Sequence, residues 1–162
     1  MKRKHLLIYG ILLSMAVTGC KKDTPDPDTQ PPPSKGVSGQ VSGTWTKGTT
    51  YNITGHLEIP AGKSLTIEPG VKVIMSDSII KPEFIIKGNL YCMGTAANPV
   101  EFTVPDAWKT SDHLFGDLWG GLIAAPTSDE ILLQHTILEY GGAATTEESP
   151  SVKDGLYKAT GG

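Results

Sequence analysis

The chain has 162 residues, of which 38 % are hydrophobic and 19 % charged, with 19 glycines and 12 prolines. This length gives room for one domain with appendages, and the glycine and proline content argues against a helical bundle. The formal charge is −3; since three of the 14 basic residues and none of the 17 acidic ones precede residue 20, the remainder carries 11 basic and 17 acidic groups, or −6. Arg3 is the only arginine, so we predict no nucleic-acid binding.

The N-terminus has the pattern of a cleaved export signal over residues 1–19. Basic residues at positions 2–4 precede an apolar run, Leu6–Val17, that is too short to span a bilayer, which takes roughly 20 residues. Val17-Thr18-Gly19-Cys20 resembles the bacterial lipobox, although Val stands where Leu is usual. The resemblance implies cleavage after residue 19 and lipidation of Cys20. The alternative is an ordinary secretory signal with a chance cysteine.

Residues 20–36 are predicted to form a tether. Lys21–Lys35 contains five of the 12 prolines and no large apolar side chain, so it cannot bury a core and reaches at most roughly 45 Å from the membrane. Cys20-Lys21-Lys22-Asp23, with Asp26 and Asp28 nearby, resembles the surface-export signals of Bacteroidetes lipoproteins. We therefore expect an outer-membrane protein that is bound to the membrane through its lipid anchor and exposed on the cell surface.

Residues 37–162 are predicted to form one all-β domain. Apolar residues recur in doublets at a period of two, which is typical of strands with one buried face. The doublets are Tyr51/Ile53, Leu57/Ile59, Leu65/Ile67, Val71/Val73, Phe84/Ile86 and Val100/Phe102. Turn signals separate them at Thr54-Gly55, Pro60–Gly62, Glu68–Gly70, Lys87–Asn89 and Asn98-Pro99.

The spacing of these doublets predicts a parallel β-solenoid. Leu65 and Ile67 lie 19 residues before Phe84 and Ile86, and repeats of about 20 residues with short strands are typical of stacked coils. This register would stack Leu65 on Phe84. The alternative is an antiparallel sandwich, but the hairpin turn sequences that such a fold needs are absent.

Six short segments, taken in order, resemble the N-terminal part of Bacteroidetes surface lipoproteins with a right-handed parallel β-helix. They are Val41–Trp45, Tyr51–Gly55, Ile59–Gly70, Gly94–Thr103, Gly116–Gly121 and Ile137–Gly142. The resemblance covers roughly residues 37–142. It implies a short right-handed parallel β-helix after the signal peptide and tether, and a location on the cell surface. It implies no particular activity.

The chain offers no evident catalytic set. Lyases built on β-helices need Ca²⁺-binding carboxylates and a basic residue, commonly arginine, and no arginine follows Arg3. Glycoside hydrolases need two converging carboxylates, whereas Asp129-Glu130 and Glu147-Glu148 lie in polar, turn-like stretches. The histidines stand singly, without metal-site spacing. We predict no catalytic residue, metal or cofactor, and we expect Cys92 to be a small buried residue rather than a nucleophile.

One loop carries candidate ligand-binding residues. Trp108 and Trp119 lie close in sequence to Asp112 and Asp117, and aromatic rings beside carboxylates suit a sugar. The alternative for Trp119, which precedes two glycines, is packing at a coil corner. Separately, Asp77-Ser78-Ile79 fits the Asp-Ser/Thr-apolar motif of Bacteroidetes protein O-glycosylation, which makes Ser78 a candidate glycosylation site.

These observations predict a non-catalytic surface scaffold or adhesion module, with a glycan or host material as ligand. The alternative is the N-terminal cap and first coils of a longer polysaccharide-degrading β-helix enzyme. Residues 36–50 are expected to cap the N-terminal end. The C-terminal end lacks an evident cap, so we expect the chain to continue in its gene, to pair end-to-end with another copy, or to be marginally stable.

Overall fold

The computed structural model describes residues 36–114 and 116–157. The signal at residues 1–19, Cys20 and nearly all of the tether lie outside the described residues, so those assignments stay predictions. None of the described helices is long and apolar enough to cross a membrane.

Short parallel strands dominate the described part of the chain. In chain order they are β1 (Val37–Gln40), β2 (Gly43–Trp45), β3 (Thr50–Ile59), β4 (Ser64–Ile67), β5 (Lys72–Met75), β6 (Glu83–Ile86), β7 (Asn89–Met93), β8 (Val100–Thr103), β9 (Gly121–Ala124), β10 (Ile131–Gln134) and β11 (Thr136–Leu138). One short helix, α1 (Pro150–Lys153), follows them. All of these strand pairs are parallel.

The strands form three faces, and the chain visits each face in turn. The first face stacks β1, the second half of β3, β6 and β9; the second face stacks β2, β4, β7 and β10. The third face stacks the first half of β3, β5, β8 and β11. This arrangement confirms the predicted all-β parallel β-helix, with four coils, and excludes the antiparallel sandwich.

The core lies inside the coils, where side chains of the same face stack in columns. Inward positions of the inner coils are at most 1 % exposed: Ile53, Leu57, Ile59, Leu65, Ile67, Val73, Met75, Phe84, Ile86, Leu90, Cys92, Val100 and Phe102. Aromatic rings from different faces also meet inside the core, with centroid distances of 6.4 Å for Trp45–Phe84, 6.2 Å for Phe84–Phe102 and 6.3 Å for Phe102–Trp119. Burying each large side chain contributes about 1.5–3 kcal/mol.

The predicted coil register is wrong. Leu65 pairs with Leu90 and not with Phe84, whose partner in the preceding coil is Leu57. Val100 stacks on Thr136 in the last coil. The number of residues per coil is not constant, because the corners hold insertions of different length. The spacing of 19 residues therefore compared Leu65, on the second face, with Phe84, on the first face.

One predicted turn is also wrong, since Thr54-Gly55 lies inside the continuous strand β3. This strand passes from the third face to the first without a loop. Gly55 suits this corner because a Cβ atom there would approach the Cβ of Ser38 to 3.0 Å, which is a tight contact. The absence of a side chain lets two chain segments come close, which is a recognised use of glycine inside a strand.

The two ends of the solenoid are covered to different extents. Residues 36–50 form the first coil, in which β1 pairs with β3 and β2 with β4, and Val37 and Val41 pack against the core beside the buried Trp45, as expected for the segment that covers this end. At the other end, α1 packs against the outer surface of β6. Ile85 and Ile123, which lie on this first face, are only 1 % and 5 % exposed. The segment 143–157 therefore covers the side of the solenoid rather than its end.

Candidate functional site

Two loops leave the same corner of the solenoid, between the third and first faces. In the first full turn β3 crosses this corner without a loop. In the next coil residues 76–82 connect β5 to β6, and in the coil after that residues 104–120 connect β8 to β9. We call these two segments the corner loops.

The shorter corner loop is a turn held by its own aspartate. Asp77 Oδ1 accepts hydrogen bonds from the backbone N–H groups of Ile79 at 3.0 Å and Ile80 at 2.8 Å, which is how aspartate commonly closes a turn. Ile79 is consequently 93 % exposed. Lys81 follows at φ 50°, a left-handed conformation that a non-glycine residue adopts only where its surroundings impose it.

The longer corner loop contains two 3₁₀ turns, Asp106–Trp108 and Ser111–His113. Lys109 Nζ ties it to the last coil through Glu139 Oε1 at 3.0 Å and to Asp106 Oδ1 at 3.2 Å. Partial burial disfavours the charge of Lys109, but these two hydrogen bonds outweigh it and raise its pKa. The loop is therefore anchored at its base by charge-assisted contacts.

Near the end of the loop, a histidine contacts an aspartate whose backbone is strained. His113 Nδ1 lies 3.1 Å from Asp117 Oδ1, and Asp117 has a φ of 89°. Such conformations cost of order 1–3 kcal/mol and cluster at functional sites. Lys81 and Asp117 thus bring two strained, charged residues to one corner of the molecule.

An open cavity of about 270 Å³, which we call the corner cavity, lies between the corner loops. Its lining consists of Ser78, Lys81, Trp108, His113, Asp117 and Leu118. Trp108 and His113 are half-buried, whereas Asp117 is exposed. A half-buried aromatic ring beside a hydroxyl, an amine and a carboxylate suits a small polar ligand with an apolar face.

Two of the four predicted ligand-binding residues, Trp108 and Asp117, meet in this cavity, and two do not. Asp112 is exposed and lies outside the lining, with its Oδ1 3.4 Å from Ser111 Oγ. The ring of Trp119 is 1 % exposed, stacks on Phe102 and donates its indole N–H to the Glu139 carbonyl at 2.8 Å. Trp119 therefore belongs to the core, in agreement with the packing alternative, and is not part of the cavity.

Sequence reasoning missed Lys81, His113 and Leu118 as lining residues. Ser78 was singled out only for glycosylation, and it lies exposed in the shorter loop; its modification stays a prediction. The two loops are about thirty residues apart, and they meet only because residues 72 and 101 stack in adjacent coils. Because the coil register was predicted wrongly, the sequence did not indicate that the two loops lie side by side.

Titratable groups outside the corner cavity have contacts that stabilise the fold. His56 Nδ1 accepts the backbone N–H of Glu83 at 3.1 Å, and burial lowers the pKa of His56 despite the nearby Glu83 carboxylate. Cys92 is buried, as predicted, and burial raises the pKa of its thiol to about 12. A thiol that stays protonated is a poor nucleophile. Within the described residues, no three His, Cys, Asp or Glu side chains are grouped closely enough to hold a metal ion.

Fold and site together define a parallel β-helix that carries a cavity between two corner loops. The chain belongs to the family described as pectate-lyase like beta helix domain, whose family model matches residues 37–154. No curated protein and no solved structure shows significant similarity to the chain.

Proposed function

We propose that this protein is a lipid-anchored outer-membrane module, exposed on the cell surface, that binds a carbohydrate in the corner cavity without cleaving it. Glycans of the surroundings, including host material, are the ligand class. The observation that carries the proposal is the meeting of Trp108, Asp117, Lys81 and Ser78 from two separate loops. A ring face with hydrogen-bonding groups at its edge is the arrangement that suits a pyranose.

Rigid support for the loops favours binding. The Asp77 turn and the Lys109 contacts hold both loops in place without a ligand, so little conformational entropy is lost when one binds. The only adjacent acidic pairs remain Asp129-Glu130 and Glu147-Glu148. Neither pair lines the corner cavity, and among its lining residues Asp117 alone carries a carboxylate, whereas glycoside hydrolysis requires two carboxylates.

A glycan array probed with the chain from residue 21 onward tests the binding. We expect Trp108→Ala to weaken binding to any glycan hit at least about tenfold, or 1.4 kcal/mol, and Asp117→Asn to weaken it as well. Tyr157→Ala and Asp112→Asn are matched controls, because Tyr157 is 55 % exposed and neither residue lines the cavity. Hits that survive Trp108→Ala unchanged would place the ligand elsewhere.

A separate assay tests the prediction that the protein does not cleave polysaccharides. We expect the same protein to release no product from polygalacturonate, alginate or chondroitin, because the chain beyond Arg3 has no arginine and the corner cavity offers a single carboxylate, that of Asp117. New ultraviolet absorbance from an unsaturated uronate, lost on chelation, would reverse this part of the proposal.

The proposed lipid anchor is inferred from the signal sequence and from Cys20. A diacylglycerol with an additional acyl chain binds membranes stably, because more than one chain is buried. We expect Cys20→Ser to abolish incorporation of a fatty-acid label and to release the protein from the membrane fraction. A labelled, membrane-bound Cys20→Ser protein would contradict the assignment.

One observation favours a second candidate, the first coils of a longer polysaccharide-degrading β-helix. Inward-facing side chains of the last coil are exposed, including Leu133 at 42 % and Leu138 at 48 %, as expected where another coil would stack. An enzyme would need clustered acidic residues in such coils. Reading the gene beyond codon 162 distinguishes the two candidates.

A further inference from the structure

A second open cavity lies on the first face, where β1, β3 and β6 meet the start of α1. Its volume is about 220 Å³, and we call it the face cavity. Its lining includes Gly39, Gln40, His56, Glu58, Ile85 and Pro150. None of the residues that line it lines the corner cavity. A ligand bound there would therefore be independent of the function proposed for the corner cavity.

A bulge between β1 and β3 shapes the face cavity. Val37 pairs with Ile53 but Gly39 with Leu57, so three residues of β3, the last of them His56, lie opposite a single residue of β1. Bulges redirect side chains and are over-represented next to active sites. Gly39 leaves additional room, because a Cβ atom at this position would have no neighbour within 4 Å.

His56 has one ring nitrogen available to a ligand. Its Nδ1 accepts the backbone N–H of Glu83 at 3.1 Å, so the neutral ring carries its proton on Nε2. Burial lowers the pKa of His56 and thereby favours this neutral form. Among residues 36–114 and 116–157, none forms a hydrogen bond with Nε2. The Nε2–H group is therefore a free donor with a defined tautomer.

Glu58 and Gln40 provide hydrogen-bond acceptors. Gln40 Nε2 donates to Glu58 Oε1 at 3.2 Å, and Lys87 Nζ binds Glu58 Oε2 at 2.8 Å. These contacts hold the carboxylate in place and compensate its charge, while each of its oxygens can accept a further hydrogen bond. A neutral donor suits such a compensated carboxylate better than a second cation does.

The remaining wall of the face cavity is apolar and includes Ile85 and Pro150. A donor, a compensated acceptor and an apolar wall together complement an acetamido group, which consists of a carbonyl oxygen, an N–H group and a methyl group. The cavity is smaller than the about 300–1,000 Å³ of most ligand pockets, so it suits a single sugar ring rather than a longer chain.

We propose that the face cavity binds the acetamido group of an N-acetylated amino sugar. The carbonyl oxygen accepts a hydrogen bond from His56 Nε2–H, the amide N–H donates to Glu58, and the methyl group packs against Ile85 and Pro150. A peptide also contains secondary amides, but its chain continues on both sides of each amide. The acetamido group ends in its methyl group, which fits a small cavity with an apolar wall.

Titration of the ¹⁵N-labelled chain from residue 21 onward with N-acetylglucosamine tests the proposal. We expect the backbone amide signals of Gln40 and His56 to shift, with an affinity at least about tenfold higher than for glucose or glucosamine, which lack the acetamido group. Equal affinity for glucose, or no shift with N-acetylglucosamine at its highest soluble concentration, would overturn the proposal. Tighter binding of the peptide probe N-acetylalanine methylamide would assign the cavity to a peptide and would also overturn it.

His56→Asn separates recognition from folding. Asparagine keeps an acceptor for Glu83 N–H but places no donor where Nε2 stands. We expect the affinity for N-acetylglucosamine to fall at least about fivefold, while the backbone signal of Ser151, which is bound to Glu83, stays in place. His135→Asn is the matched control, since His135 lies outside the lining, and it should leave the affinity unchanged. An unchanged affinity in His56→Asn, or an equal loss in His135→Asn, would contradict the proposal; if the Ser151 signal moves, the comparison of sugars on the unsubstituted protein decides.

Discussion

Single residues in the chain of aromatic contacts inside the solenoid determine how firmly its core is packed. Phe102 is fully buried, with its ring 6.2 Å from Phe84 and 6.3 Å from Trp119. Close packing in such a core leaves no neighbouring side chain free to fill a gap. The same ring of Trp119 fixes the base of the longer corner loop, so the packing of the core and the position of the cavity are linked.

Phe102→Ala should therefore destabilise the domain by about 3–5 kcal/mol, the usual cost of removing a buried aromatic ring. Urea denaturation measures this difference. Ile79→Ala, at a position that is 93 % exposed, should change the free energy of unfolding by less than about 0.5 kcal/mol. Similar effects of the two substitutions would mean that the rings do not form the core.

His56 gives the fold a dependence on pH. Its Nδ1 accepts a hydrogen bond from Glu83 N–H, and burial lowers its pKa below the ordinary value of 6.5. The folded state therefore binds a proton less readily than the unfolded chain, so this contribution to stability is present above pH 6.5 and is lost as the pH falls below it.

We expect the urea midpoint to fall between pH 7.5 and pH 5.5, and His56→Asn to flatten that fall. Asparagine keeps an acceptor for Glu83 N–H but does not titrate. His135→Asn, at an exposed position of the last coil, is the control and should leave the slope as it is. An unchanged slope in the His56 variant would assign the pH dependence to other groups.

At the scale of elements, the helix α1 is attached through a buried carboxylate. Glu83 is 2 % and Ser151 0 % exposed, and both carboxylate oxygens of Glu83 are bound by Ser151. A buried carboxylate is costly unless its hydrogen bonds are made. The position of the C-terminal segment on the first face therefore depends on this pair.

Ser151→Ala removes one of these hydrogen bonds and should cost about 1–3 kcal/mol, because an oxygen of Glu83 is left without its partner. Hydrogen exchange should rise in residues 143–157 and remain slow in the inner strands. Ser111→Ala, in the exposed longer loop, should change neither quantity. Uniform acceleration across the domain would show that the segment and the coils unfold together.

Strands were predictable where the pattern is local. Alternation at Leu65/Ile67 or Val100/Phe102 reflects one buried face, and the glycine turn at Lys87–Asn89 separates β6 from β7 as predicted. Register was not predictable, because insertions of unequal length at the corners break the period. Glu83 and Ser151 are 68 residues apart in sequence, so a local sequence pattern could not predict their contact.

At the scale of the whole molecule, the same irregularity creates the candidate site. A perfectly periodic solenoid would have equal corners and no cavity, whereas insertions in adjacent coils place residues 76–82 beside residues 104–120. Trp108 and Asp117 were predicted because the loop is unusually rich in aromatic and acidic residues. Their partners Lys81 and Ser78 became visible only when the coils were stacked.

Indole resonances of the three tryptophans test binding in the corner cavity most directly. Trp45 and Trp119 are 6 % and 1 % exposed, while Trp108 is half-buried and lines the cavity. When a glycan hit is titrated into ¹⁵N-labelled protein, we expect the Trp108 indole signal to shift and the other two to stay in place. A shift of Trp119 or Trp45 without one at Trp108, or no shift under saturating glycan, would contradict the account.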